Sequence, residues 1–239
     1  MVEIKVNIAN KSNYGNIRNT SSIRYIVLHY TSNDGDKDES NGRYFKNNIV
    51  KASAHYFVDS DSITQSVPDN YVAWSVGGAK YNNAGGRLHN KCTNHNSISI
   101  ELCDDVKNGV VYPSAKTIKN ALELTELLMK KYNVPKENVI RHYDVNGKPC
   151  PKYWVDDKKW KSEFWNKISA TPSETKTFEP YLVKINTSAL NVRSVPSIDG
   201  IVNRTVKKGE VYTIVGESNG WGKLKSGAGW IKLSYTVRV

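Results

Sequence analysis

From position 170 to 180 the chain reads Ala-Thr-Pro-Ser-Glu-Thr-Lys-Thr-Phe-Glu-Pro. A stretch this polar, with two prolines, neither runs through a hydrophobic core nor continues a helix, so it reads as a linker. It constrains the fold more than any other feature, because each side must build its own core. The 239-residue chain is therefore expected to fold as two units, 1–169 and 181–239, joined by 170–180.

Charge separates the two sides. The chain carries +11 overall. Residues 1–170 hold 24 basic and 18 acidic side chains, and residues 180–239 hold 9 and 3, so each side carries +6 and the shorter one is denser in charge. Such a balance favours polyanions: nucleic acid, anionic membrane or an anionic cell wall. No base-stacking motif or recognition helix accompanies it, and nucleic acid is not an expected partner. No apolar run approaches the ~20 residues of a membrane span, so no stable membrane insertion is expected. The start, Met1-Val-Glu-Ile-Lys-Val-Asn7, has no apolar core of a secretory signal. The protein is expected to be made in the cytoplasm and to stay there until released. Three cysteines, Cys92, Cys103 and Cys150, do not suggest a disulfide framework.

The first side mixes strand and helix signals. Arg24–His29 is a short apolar run rich in β-formers. His55–Val58 and Ile63–Val67 are expected to pair as a hairpin across residues 59–62. Ser97–Leu102 alternates strictly, with Ile98, Ile100 and Leu102 on one face and Ser97, Ser99 and Glu101 on the other. Val139–His142 is a fourth candidate strand. Ser114 to Tyr132 has helical periodicity, a Ser N-cap and a stop at Asn133-Val-Pro135. Shorter helices are expected over Ser40–Asn48 and Asp156–Ile168, the latter turning Trp160, Phe164, Trp165 and Ile168 inward. Alternating strands and helices predict an α/β unit with helices flanking a sheet. The second side has short strand signals at Ala189–Arg193, Glu210–Val215, Trp221–Leu224 and Gly229–Leu233, separated by turn residues. A small all-β barrel follows from them.

His29 and His142 end strand candidates, and Cys150 lies in the Gly147-Lys-Pro-Cys-Pro151 loop. Two imidazoles and a thiolate form a three-ligand set for zinc with a fourth position open for water, the pattern of a catalytic site. Without a CxxC or HExxH spacing, the same three residues also fit unrelated core and surface positions. Glu101, on the polar face of its strand, is a candidate proton carrier if that face lines a cleft, and otherwise a solvated charge. Lys148, two residues before Cys150, is a candidate for stabilising an oxyanion, or one more surface lysine.

These residues fall within a longer pattern. In order, the chain has Tyr25-Ile-Val-Leu-His-Tyr-Thr31, Ser53-Ala-His-Tyr-Phe-Val-Asp59, Ile63-Thr-Gln-Ser-Val-Pro68, Ala73-Trp74, Asn96-Ser-Ile-Ser-Ile-Glu101, Arg141-His142 and Cys150-Pro151. Residues 23–151 thereby resemble the amidase-2 family of zinc N-acetylmuramoyl-L-alanine amidases, to which phage T7 lysozyme and the peptidoglycan recognition proteins are related. The resemblance implies one Zn2+ held by His29, His142 and Cys150, with Glu101 and Lys148 as the catalytic pair and a mixed sheet flanked by helices. It implies hydrolysis of the bond between N-acetylmuramic acid and L-alanine. Two positions depart from the pattern. Ser75 stands where many members have histidine, and Ala54 stands where many have a tyrosine near the zinc. Tyr56, on the same face by alternation, is the candidate replacement, and His55 is expected to be structural.

Residues 183–239 resemble a bacterial SH3 domain through Ala189-Leu-Asn-Val-Arg-Ser-Val-Pro196, Val206-Lys-Lys-Gly209, Asn219-Gly-Trp221 and Gly229-Trp-Ile231. That resemblance implies binding to peptidoglycan and the Gram-positive cell wall. Trp221, Trp230 and Tyr212 are its candidate contacts, with a core role as the alternative for each. The combination resembles a phage or prophage endolysin that reaches the wall after holin-type release. A zinc endopeptidase and a non-catalytic wall binder are the competing readings.

Overall fold

The computed structural model describes residues 2–169, 178–198, 200–218 and 220–239. Most of the expected linker, residues 170–177, lies outside the described residues. The chain divides into two compact units, Met1–Ser173 and Glu174–Val239.

The first unit is built on a six-stranded sheet. In chain order its strands and helices are β1 (Ile4–Val6), β2 (Tyr14–Ile17), β3 (Tyr25–Asp34), α1 (Asp38–Asn47), β4 (Tyr56–Val58), β5 (Ile63–Gln65), β6 (Tyr71–Ala73), β7 (Ser97–Asp104), α2 (Ala115–Tyr132), β8 (Val139–Arg141), α3 (His142–Asn146) and α4 (Asp157–Glu163). The sheet order is β1-β5-β4-β7-β3-β8, and β2 pairs with β6 apart from it. Only the β4–β5 hairpin is antiparallel; the other pairs of the large sheet are parallel. Parallel strands need cover on both faces, and β7 has it: seven of its eight residues are buried.

One face of the sheet carries the main core. Ile98, Ile100 and Leu102 pack there with Leu124 and Leu128 of α2 and with Trp154, Trp160 and Phe164. Helix α2 follows its sequence signals closely. Ser114 Oγ accepts the Thr117 amide at 3.1 Å, and Asn133 closes the helix in the left-handed region at φ 53°. Helix α4 is shorter than its periodicity predicts. Phe164 leaves helical geometry at φ −133° and ψ −65°, fully buried and stacked on Trp160 at 5.2 Å. The expected last turn is captured instead by a neighbour: the Trp165 indole N–H donates to Lys136 O, and Lys136 Nζ donates to Ile168 O. Trp160, Phe164 and Ile168 are buried as expected, while Trp165 is only half-buried. Tertiary packing has overridden local propensity here.

The second unit is an all-β, antiparallel, seven-stranded sheet, consistent with a bacterial SH3 fold. Its strands are β9 (Tyr181–Ile185), β10 (Ala189–Arg193), β11 (Val202–Lys207), β12 (Val211–Ser218), β13 (Trp221–Leu224), β14 (Trp230–Lys232) and β15 (Thr236–Arg238), in the order β11-β10-β14-β13-β12-β9-β15. Val183, Leu190, Val192, Ile214, Leu224 and Ile231 centre its core. Strands β9, β11 and β15 were not expected from the sequence pattern; β11 exposes five of its six residues and shows little alternation. No helix among the described residues is long and apolar enough to cross a membrane.

Candidate active site

The register of the parallel strands assembles the site. Phe57 on β4 and His29 on β3 both lie opposite Glu101 on β7, so the three side chains stand abreast on one face of the sheet. On the other side of β3, Leu28 pairs with Arg141, which places His142, one residue on, beside His29. The two imidazole centroids are 4.7 Å apart. His142 opens α3 rather than ending β8, so its strand expectation is corrected by one residue.

A short return loop brings in Cys150. Gly147 caps α3 at φ 84°, and a Cβ there would come within 2.9 Å of Asn82, so glycine suits both the turn and the close approach. The Tyr143 amide donates to Cys150 O at 2.9 Å and closes the loop. Cys150 Sγ then lies 3.7 Å from His29 Nδ1. One donor atom from each of His29, His142 and Cys150 falls within 4.8 Å of the others, and all three residues are buried.

The turn that carries His142 is braced from below. Arg141 Nε and Nη2 donate to both carboxylate oxygens of Asp144 at 3.0 and 2.9 Å, and Asp144 also accepts the Arg141 amide. Arg141 Nη1 donates to Trp154 O. Arg141 was legible as part of a motif; Asp144 was not, although its i+3 spacing on a one-turn helix is the signature of a capping carboxylate.

Electrostatically the pocket holds neutral donors. Burial lowers the His29 pKa well below the usual imidazole value and His142 to about 4, with Lys148 adding to both. Neutral imidazoles keep the lone pairs that a metal needs. Burial and the nearby Glu101 raise the Cys150 thiol. Glu101 Oε1 lies 3.8 Å from His29 Nδ1, and burial pushes its carboxyl up to about 7 against the pull of Lys148. His29 Nε2, both ring nitrogens of His142 and Glu101 Oε2 are buried without a hydrogen-bond partner. Buried polar atoms are rarely left so, and this cluster of lone pairs fits a cation.

The site opens into a groove of about 770 Å³ whose walls include Tyr44, Phe57, Trp74, Ser75, Glu101 and Lys148. Ser75 and Ala54 are both in the lining. Tyr56 is not a replacement for the missing tyrosine. It is buried on the core face, with its hydroxyl donating to Asp69 at 2.7 Å; Ala54 and Phe57, not Tyr56, face the groove. His55 is structural: it is buried, accepts from Arg18 Nη2 at 2.8 Å and is held by Ser99, and burial and Arg18 lower its pKa to about 3.

Residues 19–153 match the family model described as N-acetylmuramoyl-L-alanine amidase. The chain belongs to this amidase family. Residues 188–237 match the bacterial SH3 domain model. Amidase relatives include N-acetylmuramoyl-L-alanine amidase CwlL of Bacillus licheniformis, 31% identical over 163 residues that cover 63% of this chain and 42% of CwlL. The amidase BlyA of Bacillus subtilis is 28% identical over 210 residues, covering 82% and 56%. The chain spans about half the length of the curated amidases it matches, from 42 to 56% for the first four. Among solved structures, a mutant endolysin from Bacillus subtilis shares 31% identity at TM-score 0.56, covering 70% of this chain and 99% of that one. The catalytic domain of the amidase XlyA shares 30% at 0.55, covering 70% and 99%.

In the SH3-type unit the three aromatic candidates separate. Trp221 is buried at 6% exposure, so it is not available as a contact. Tyr212 is half-buried, its hydroxyl donating to Glu210 at 2.8 Å. Trp230 lies directly opposite Arg193 on β10 and Lys223 on β13, so an indole stands between two cations on the outer face of the sheet.

Proposed function

We propose that the protein is a zinc-dependent endolysin that hydrolyses the amide between N-acetylmuramic acid and L-alanine in peptidoglycan. The reading rests on one observation above the others: His29, His142 and Cys150 converge with unpartnered lone pairs at the base of a groove beside Glu101. Zinc held by those three residues supplies Lewis acidity toward a carbonyl oxygen and makes water more acidic. Glu101 takes a proton from the attacking water and returns it to the departing L-alanine nitrogen. Lys148, on the groove lining, offsets negative charge developing on the carbonyl oxygen. Phe57 and Trp74 line the same groove and offer aromatic surface to the substrate.

Residues 1–169 serve as the catalytic domain and 181–239 as the wall-binding domain, with 170–180 between them. Trp230 is the contact aromatic of that second domain. Trp230→Ala is expected to weaken retention on purified Gram-positive wall at least about tenfold, the scale of a truncated hot-spot aromatic. Turnover of soluble muramyl peptides should stay unchanged; unchanged retention would remove Trp230 from the contact.

The function is tested by mass spectrometry of wall digested with the protein, with and without a zinc chelator. Intact glycan strands with stem peptides bearing free L-alanine amines, lost on chelation, are the expected products. Fragments cut inside the peptide would make it an endopeptidase, and no cleavage would leave a wall binder.

A further inference from the structure

Trp74 lines two cavities. One is the catalytic groove. The other, of about 200 Å³, includes Val76, Cys92 and Val145 together with His89, Asn90 and Asn94. We propose that this second cavity binds an N-acetylated sugar of the glycan strand, next to the sugar whose peptide is being released. The proposal rests on the amidase reading and names a further part of the substrate.

The chemistry of the lining carries the argument. Val76, Cys92 and Val145 are buried and make an apolar base. Asn90 is exposed and Asn94 half-buried, and both offer side-chain amides beside it. The side-chain amide of Asn90 and the Nδ2 group of Asn94 have no hydrogen-bond partner among the described residues. An acetamido group presents the complementary set: a methyl for the apolar base, an N–H and a C=O for the amides, and a pyranose ring to lie against an indole. The lining includes no Asp, Glu, Lys or Arg, so a neutral sugar suits it better than a stem-peptide carboxylate. The volume lies below the ~300–1,000 Å³ of pockets for drug-sized ligands, which suits a single sugar residue.

The cavity is also built in advance and tied to the catalytic groove. Asn94 Oδ1 accepts the amides of Ser75 and Val76 at 3.0 and 2.8 Å, so the segment that carries Ser75 into the groove is held by the cavity wall. Behind it, Arg18 Nη1 donates to Asn94 O and His95 O. Asn96 Oδ1 accepts the Thr93 amide, and its Nδ2 donates to Lys91 O. A loop fixed at this many points loses little entropy when a ligand arrives.

The test uses the full chain and a tetramer of N-acetylglucosamine, which has no peptide and is not a substrate for amide cleavage. Amide chemical shifts are recorded during titration, with the deacetylated tetramer as a second probe. Shifts centred on residues 74–78 and 89–95 are expected for the acetylated tetramer and not for the deacetylated one. Asn90→Gly, which removes the amide and suits the left-handed backbone at this position (φ 63°), should weaken the acetylated tetramer about five- to tenfold, the scale of one hydrogen bond. The same variant should raise KM for glycan strands while leaving turnover of an isolated muramyl dipeptide unchanged. Absence of shifts at that cavity, equal binding of the deacetylated tetramer, or an unchanged affinity in Asn90→Gly would overturn the subsite. Failure of the amidase reading would show separately, as absence of cleavage of both the muramyl dipeptide and intact wall.

Discussion

Glu101→Gln is expected to lower turnover of wall peptidoglycan by about 10²- to 10⁴-fold, the range for losing a general acid–base group, while the zinc content of the purified protein stays the same. The substitution keeps the shape of the side chain and removes its ability to exchange a proton. Glu101 is opposite His29 on the neighbouring parallel strand but is not one of the three converging donors, so the ligand set survives it. Single-turnover kinetics with metal analysis on the same sample provide the check. Loss of zinc together with activity would make Glu101 part of the metal shell, and full activity without it would move the proton transfer elsewhere.

The second large effect falls on stability. Asp144→Ala leaves the buried Arg141 guanidinium without its two-pronged partner; only the exposed Asp157 carboxylate and backbone carbonyls remain to it. Breaking one side of a buried ion pair costs about 3–5 kcal/mol, and a unit of this size loses roughly 2–4 °C of Tm per kcal/mol. Because the same carboxylate accepts the Arg141 amide at the start of α3, zinc affinity should fall as well, through the displaced His142. Denaturant unfolding and a zinc-competition titration measure the two effects. A variant as stable as the parent, with unchanged zinc affinity, would mean that α3 is held by its loop alone.

Much of the site's chemistry could be read along the chain. His29, Glu101, His142 and Cys150 sit in ordered segments, and each residue type suits one role in metal-assisted hydrolysis. The α2 helix was legible to its caps because Ser114 and Asn133 act within a few residues of the turns they close. The strict alternation of Ser97–Leu102 gave the two faces of β7. The indole of Trp230 and the indole of Trp221 looked alike in sequence, since neither neighbour nor spacing states that the sheet buries Trp221 and leaves Trp230 half-buried.

Local pattern therefore determined the strands and the long helix nearest the site and which side chains could do the chemistry, because backbone preference, alternation and capping are set within a few residues. The tertiary structure alone decided which of those side chains meet. The parallel register β4-β7-β3-β8 brings together residues from 29 to 142, the buried stack of Phe164 on Trp160 cuts α4 short, and Asp69 draws Tyr56 into the core while leaving the groove to Phe57. Each of these follows from burial and hydrogen-bond satisfaction between residues far apart in the chain, energies that no local window contains.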